Sequence, residues 1–174
     1  MKYLLYFFTF PSDVVAIPVT YLIGKLFGTG MHREGLCFIT ELSPHSWPMD
    51  PTHPFPLAGW YSKWAGTTLG HGIVYRPSPD QNTRVHEHVH VQQLHVSMVS
   101  SFFLGLLVLL ITGKIMAAWS VWSAGYLVYI LSNFAVAAIK GEDPYMGSPS
   151  EKHAYAIGTL HHGHKVDVDS YLRF

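Results

Sequence analysis

Residues 84–93 read Arg-Val-His-Glu-His-Val-His-Val-Gln-Gln and contain His86-Glu87-x-x-His90. Two histidines four apart on a helix lie about 40° apart around its axis, so both imidazoles point the same way. That placement suits two corners of a zinc tetrahedron. Glu87 is rotated about 100° from His86. It is displaced too far to be a natural third ligand, yet near enough to reach a water on the metal, which is where a general base belongs. Gln93 falls on the ligand face, three residues after His90, where it can orient a ligand. By the same rotation His88 and His95 fall on the opposite face and read as exposed or snorkelling polar residues. A catalytic zinc also needs a third protein ligand and one open position.

The elements around this run say where that ligand can come from. Residues 77–83 form a turn, and a long helix is expected from about Thr83 to about Thr112. Its second half, from Val96, is almost free of charge. Gly113-Lys114 breaks it, and Ile115 to Ile139 follows without a carboxylate, lysine, arginine or histidine. The first helix rises roughly 40 Å and the second returns roughly 37 Å. So short a connection makes the two antiparallel. Residues just after 139 must then lie near the level of His86 and His90, and the candidates there are Glu142, Asp143, Glu151 and His153. The stretch 115–139 is long enough to span a membrane, and the hydrophobic hairpin 97–139 reads as membrane-embedded or as a buried hairpin.

The first 27 residues are also apolar. A lysine followed by apolar residues is like the start of a secretory signal, but no small-x-small cleavage site follows. The other reading is an apolar helix broken near Pro11 or Pro18. Residues 36–42 and 67–76 read as two strands, the second with Gly70 and Gly72 marking a bulge or a close backbone approach. Between them a proline-rich loop, holding His45, Asp50 and His53, excludes regular structure. The chain therefore reads as one domain over residues 1–174, mainly α with a small β element (α+β).

Composition agrees. Of 174 residues, 13% are charged and 49% hydrophobic, against roughly 25% charged in an average soluble domain. Eleven basic and eleven acidic residues balance, so there is no basic footprint for nucleic acid. The single cysteine, Cys37, excludes a disulfide framework and a cysteine-only metal site. The 12 histidines outnumber either charge class. Those in His161-His162-x-His164 lack a carboxylate or cysteine at ligand spacing and read as a surface cluster.

Four segments together resemble a group of small bacterial zincin-type proteins, compact HExxH metallopeptidase domains. They are Leu69-Gly70-His71 before the helix, His86 to Gln93 itself, Ala124-Gly125-Tyr126-Leu127 in the second apolar helix, and Pro144 to Tyr155. The match covers about residues 67–157 and departs from the pattern at Ser150 and His153, where the group has an aromatic residue and a glutamate. The resemblance implies a zincin-like fold, Zn2+ held by His86, His90 and Glu151, and Glu87 as base. His71, His153 and Tyr155 are candidates, with Gln93, for orienting ligands or stabilising a transition state. The expected function is a membrane-associated zinc metallopeptidase acting on a peptide or protein. Two further readings fit the same residues: a non-catalytic zinc-stabilised membrane module, and a membrane di-iron oxidase or hydroxylase.

Overall fold

In the computed structural model, which describes residues 2–55 and 58–160, the chain is mainly helical with one four-stranded sheet. Helix α1 (Lys2–Phe27) leads into strands β1 (Gly28–Glu34) and β2 (Cys37–Leu42). The proline-rich loop then crosses to β3 (Gly66–Leu69) and β4 (Gly72–Tyr75). Three helices complete the fold: α2 (Gln81–Thr112), α3 (Ile115–Ile139) and α4 (Pro149–Leu160). The sheet order is β1-β2-β4-β3, with β2 and β4 parallel and both outer pairs antiparallel. Helices α1, α2 and α3 are each long and apolar enough to cross a membrane.

Helix α1 runs unbroken, which corrects the expected break at Pro11 or Pro18. A proline inside a helix costs a backbone hydrogen bond, and here tertiary packing outweighs that cost. Thr9, Asp13, Ala16 and Thr20, spaced to share one face, are buried, and the helix packs on β1, β2 and β4. Phe7, Phe10, Val14 and Leu22 face outward and are exposed. The usual polarity of a surface helix is inverted.

The span 67–76, expected as one strand, is a hairpin. Leu69 pairs with Gly72 across a two-residue turn, and Gly70 adopts φ +58°, which suits glycine. Both glycines also admit α1. A Cβ on Gly70 would lie 2.6 Å from Asp13 Oδ1, and one on Gly72 would overlap Thr20 Oγ1. Gly72→Ala is therefore expected to push α1 off the sheet and cost about 1–3 kcal/mol, read as a lowered Tm of the purified protein. An unchanged Tm would show that α1 is not seated as tightly as this contact requires.

Strand β1 carries no apolar alternation, GTGMHRE, and sequence patterning missed it. It forms because the Gly35–Leu36 turn returns the chain along the apolar strand β2. The core between sheet and helices contains Leu36, Cys37, Ile39, Ile73, Tyr75 and Val91. The Tyr61 hydroxyl donates to the Val74 carbonyl at 2.7 Å and ties the long crossover to the sheet. Asp80 caps α2 by accepting from the Thr83 amide, and Gly113 closes it in the left-handed conformation. From Gly113, α3 folds back along α2.

Candidate metal centre

Residues 85–89 of α2 are buried even though they carry charge-bearing side chains. His86 and Glu87 are almost fully covered, and His90 is partly so. The cover comes from the two ends of the fold. Strand β3 lies on one side, and α4 is delivered to the other by the return of α3.

The side chains of His86, His90 and Glu151 converge, with candidate ligand atoms all within 4.8 Å of one another. His86 Nε2 and His90 Nε2 are 3.1 Å apart. Glu151 Oε2 lies 3.2 Å from His86 Nε2, and Oε1 lies 3.3 Å from His90 Nε2. Ligands at ~2.0–2.1 Å from a tetrahedral zinc stand ~3.3 Å from each other. The spacing of the three side chains thus fits one small tetrahedral cation. Burial pushes the Glu151 carboxyl up, but the hydrogen-bonded imidazoles of His86 and His90 more than offset it and hold it at about 2. The carboxylate is therefore ionised at any physiological pH and ready to ligate.

Gln93 fixes one ligand and locks the helices together. Its Oε1 lies 2.9 Å from His90 Nδ1. An amide oxygen only accepts, so Nδ1–H donates, and Nε2 is the ring atom left to ligate once the imidazole is neutral. The Gln93 Nε2–H donates in turn to the Ser150 carbonyl at 3.0 Å, next to Glu151 in the chain. The Ser150 amide donates to Asn133 Oδ1 of α3 at 3.1 Å. One chain of hydrogen bonds therefore sets α4 against both arms of the hairpin. Gln93→Leu should keep the helix but free the His90 ring, weakening metal affinity about 10–100-fold. Competition with a chromophoric chelator measures this, and unchanged affinity would remove Gln93 from the ligand-orienting role.

Glu87 sits beside the group. Its Oε2 accepts from Thr68 Oγ1 at 2.7 Å, and a Cβ on Gly66 would come within 2.8 Å of its Oε1. The outer strand β3 thus holds this carboxylate with a hydroxyl and makes room for it with a missing side chain. A cavity of about 140 Å³ lies between Glu87, His90, Glu151, Thr68, Tyr126 and Tyr145. A larger cleft of about 820 Å³ reaches His86 and Glu87 from outside, between Trp64, Arg76, Asp80, Tyr145 and Tyr155.

Tyr145 was not singled out from the sequence, yet it borders both spaces. Burial pushes its phenol up, and the Glu151 and Glu87 carboxylates add to the shift. It stays protonated and can donate. Its only sequence signal is its place just after Pro144, and a tyrosine there has no distinctive spacing. Asn133, in the middle of an apolar helix, carried a stronger signal, since a buried-side amide in such a run needs a partner.

The remaining candidates divide. The Tyr155 ring lies against His86 with centroids 4.4 Å apart. His153 is exposed, with Nδ1 3.4 Å from Gln93 Nε2. Glu142 pairs with Lys152 rather than with the histidines. His71 is not in the cluster. It occupies the hairpin turn, fully buried, with Nδ1 2.7 Å from Asp13 Oδ2 and Nε2 2.8 Å from His95 Nε2. A carboxylate only accepts, so His71 Nδ1–H donates to Asp13. Asp13 also accepts from the His71 amide and from Thr9.

His88 and His95, expected on an exposed face, are both buried. They do lie away from the ligands, but the sheet and α1 cover that side. His88 Nδ1 pairs with the Arg84 carbonyl. In the proline-rich loop His45 and His53 are exposed, and Asp50 bonds Thr52. The His161-His162-x-His164 cluster lies outside the described residues. Among the described residues, His86, His90 and Glu151 form the one group of three able to hold a metal ion.

No protein-family model, curated protein or solved structure matches the chain.

Proposed function

We propose that the protein is a zinc-dependent hydrolase with a zincin-like site, and that it acts as a membrane-associated metallopeptidase. The observation that carries this reading is the convergence of His86, His90 and Glu151 at tetrahedral spacing with Glu87 held next to them on the wall of an open cleft.

A zinc ion bound there supplies Lewis acidity and makes water acidic enough to be deprotonated near neutral pH. The protein's own groups do the rest. Glu87 is anchored through Oε2 by Thr68. It takes the proton from the attacking water and passes it to the leaving amine. Gln93 keeps the His90 ring in one tautomer throughout. Tyr145, protonated and facing the small cavity, and Tyr155, against His86, offer phenolic donors where negative charge develops on a substrate carbonyl. Among the described residues a single three-residue group is present, which supports one metal rather than two irons at this site.

The test is elemental analysis and hydrolysis of lipid-anchored quenched peptides by protein purified without chelator or metal-binding tag. The expected result is ~1 zinc per chain and hydrolysis that chelation stops and zinc restores. Zinc without turnover of any peptide would leave a zinc-stabilised membrane module, and paired irons would point to the oxidase.

A further inference from the structure

The outer surface of the helices places the metal centre in depth. Helix α3 exposes Ile115, Met116, Leu127, Val128, Leu131 and Ile139, the last 85% accessible. At 100° per residue these positions run most of the way around the helix. One protein partner covers one side, whereas a helix apolar all round is surrounded by an apolar medium. Helix α1 agrees, with Thr9, Asp13 and Thr20 turned inward and Phe7, Phe10, Val14 and Leu22 outward.

The height of that surface follows from contacts between helices. Ser101 Oγ donates to the Trp122 carbonyl at 3.3 Å, and the α2 backbone at Gly105 abuts Ala118, which sets the antiparallel pair in register. Farther down, Gln93 and Asn133 both bond Ser150 and so share one level. From the Gly113-Lys114 turn, that level is about 27 Å down α3 and about 29 Å down α2 at 1.5 Å per residue. The hydrocarbon of a bilayer is ~30 Å thick. Between Val96 and Ile139 the one charged residue is Lys114, at the turn. Charges return with Lys140, Glu142, Asp143 and Lys152, starting about 10 Å past the Gln93–Asn133 level at 1.5 Å per residue.

The apolar surface still reaches Val136 and Ile139, alongside the metal centre, and Trp64 and Tyr155 are exposed at the cleft. Amphipathic aromatic residues of this kind sit at the membrane–water interface.

We infer that a phospholipid bilayer clothes α1, α2 and α3, and that its hydrocarbon boundary crosses the molecule at the layer of His86, His90 and Glu151. The cleft then opens among the lipid headgroups, and its substrates are membrane-anchored polypeptides cut close to the bilayer surface. The substrate statement rests on the hydrolase reading, but the depth does not.

Site-directed spin labelling in phosphatidylcholine vesicles tests the depth without metal or turnover. Exposed positions are replaced one at a time by cysteine in the full chain: Leu107, Leu131, Ile139 and Thr159. The native Cys37 is fully buried and out of reach of the label. Each label is then tested for collisions with oxygen and with a membrane-impermeant paramagnetic chelate. The oxygen-to-chelate ratio should be ~10-fold higher at Leu107 and Leu131 than at Thr159, with Ile139 between them, because water is absent from hydrocarbon.

Chelate access at Leu131 equal to that at Thr159 would overturn the bilayer assignment. Protection of Thr159 equal to that of Leu131 would overturn the boundary, since the site would then be deep in hydrocarbon. Flotation of each labelled protein with the vesicles confirms insertion, and Leu127 replaces Leu131 if that variant fails to insert. A correct depth profile with no hydrolysis would refute the enzyme reading alone.

Discussion

Glu87→Gln is expected to lower kcat/KM by about 10²–10⁴-fold while leaving zinc in place. The size is that of a positioned general base lost from the chemical step. Zinc stays because the ligand atoms belong to His86, His90 and Glu151, and Glu87 reaches the group from the side, tied to Thr68. The amide of glutamine keeps the volume and an oxygen to accept from Thr68, so the cavity is not remodelled. The measurement pairs steady-state hydrolysis with zinc content per chain. A fall in kcat with KM little changed is the sign of an interaction made in the transition state. Equal activity in variant and wild type would remove Glu87 from the mechanism. Joint loss of zinc and activity would make it part of the metal site instead.

Glu151→Gln acts on the other half of the site. Zinc affinity is expected to fall by more than ~100-fold, beyond the loss caused by removing an orienting partner such as Gln93. A neutral amide replaces an ionised carboxylate held between two imidazoles. The helix itself should persist, because the α4 backbone is anchored through Ser148 and Ser150, which the substitution does not touch. Circular dichroism and chelator competition read the two properties separately. A folded variant with wild-type affinity would place the third ligand elsewhere. Acid should release zinc from the wild type as well, since imidazoles ligate only when neutral and protons compete with the metal.

Much of the candidate metal centre is local and was legible in the chain. The i, i+4 spacing of His86 and His90 fixes their shared face once the segment is helical, and Glu87 and Gln93 follow by rotation alone. The two apolar runs and Gly113 fix an antiparallel hairpin, and its arithmetic returns the chain to the level of the ligands. Glu142, Asp143, Glu151 and His153 were equal on that arithmetic, and the hairpin did not choose between them. The choice of Glu151 in the folded chain rests on contacts remote in sequence. Asn133 and Gln93 grip Ser150, and Lys152 draws Glu142 away.

The opposite face of α2 shows the limit most clearly. Rotation correctly turned His88 and His95 away from the ligands, but periodicity along one helix does not say what covers its far side. There the hairpin turn and α1 bring His71 and Asp13 against His95 in a buried polar chain. Helix α1 departs from expectation for the same reason: its prolines argue for a break, and its packed inner face exists only where Gly70 and Gly72 meet Asp13 and Thr20.

Local backbone geometry is enough to set His86, Glu87, His90 and Gln93 on one helix in their relative rotation and to predict the apolar hairpin, because rotation per residue and rise per residue do not depend on the rest of the fold. Which carboxylate meets His86 and His90, which histidines are buried apart from them, and how β3 holds Glu87 are set by the tertiary fold. Those depend on close approach between segments far apart in the chain, where one missing Cβ or one hydrogen bond selects the partner.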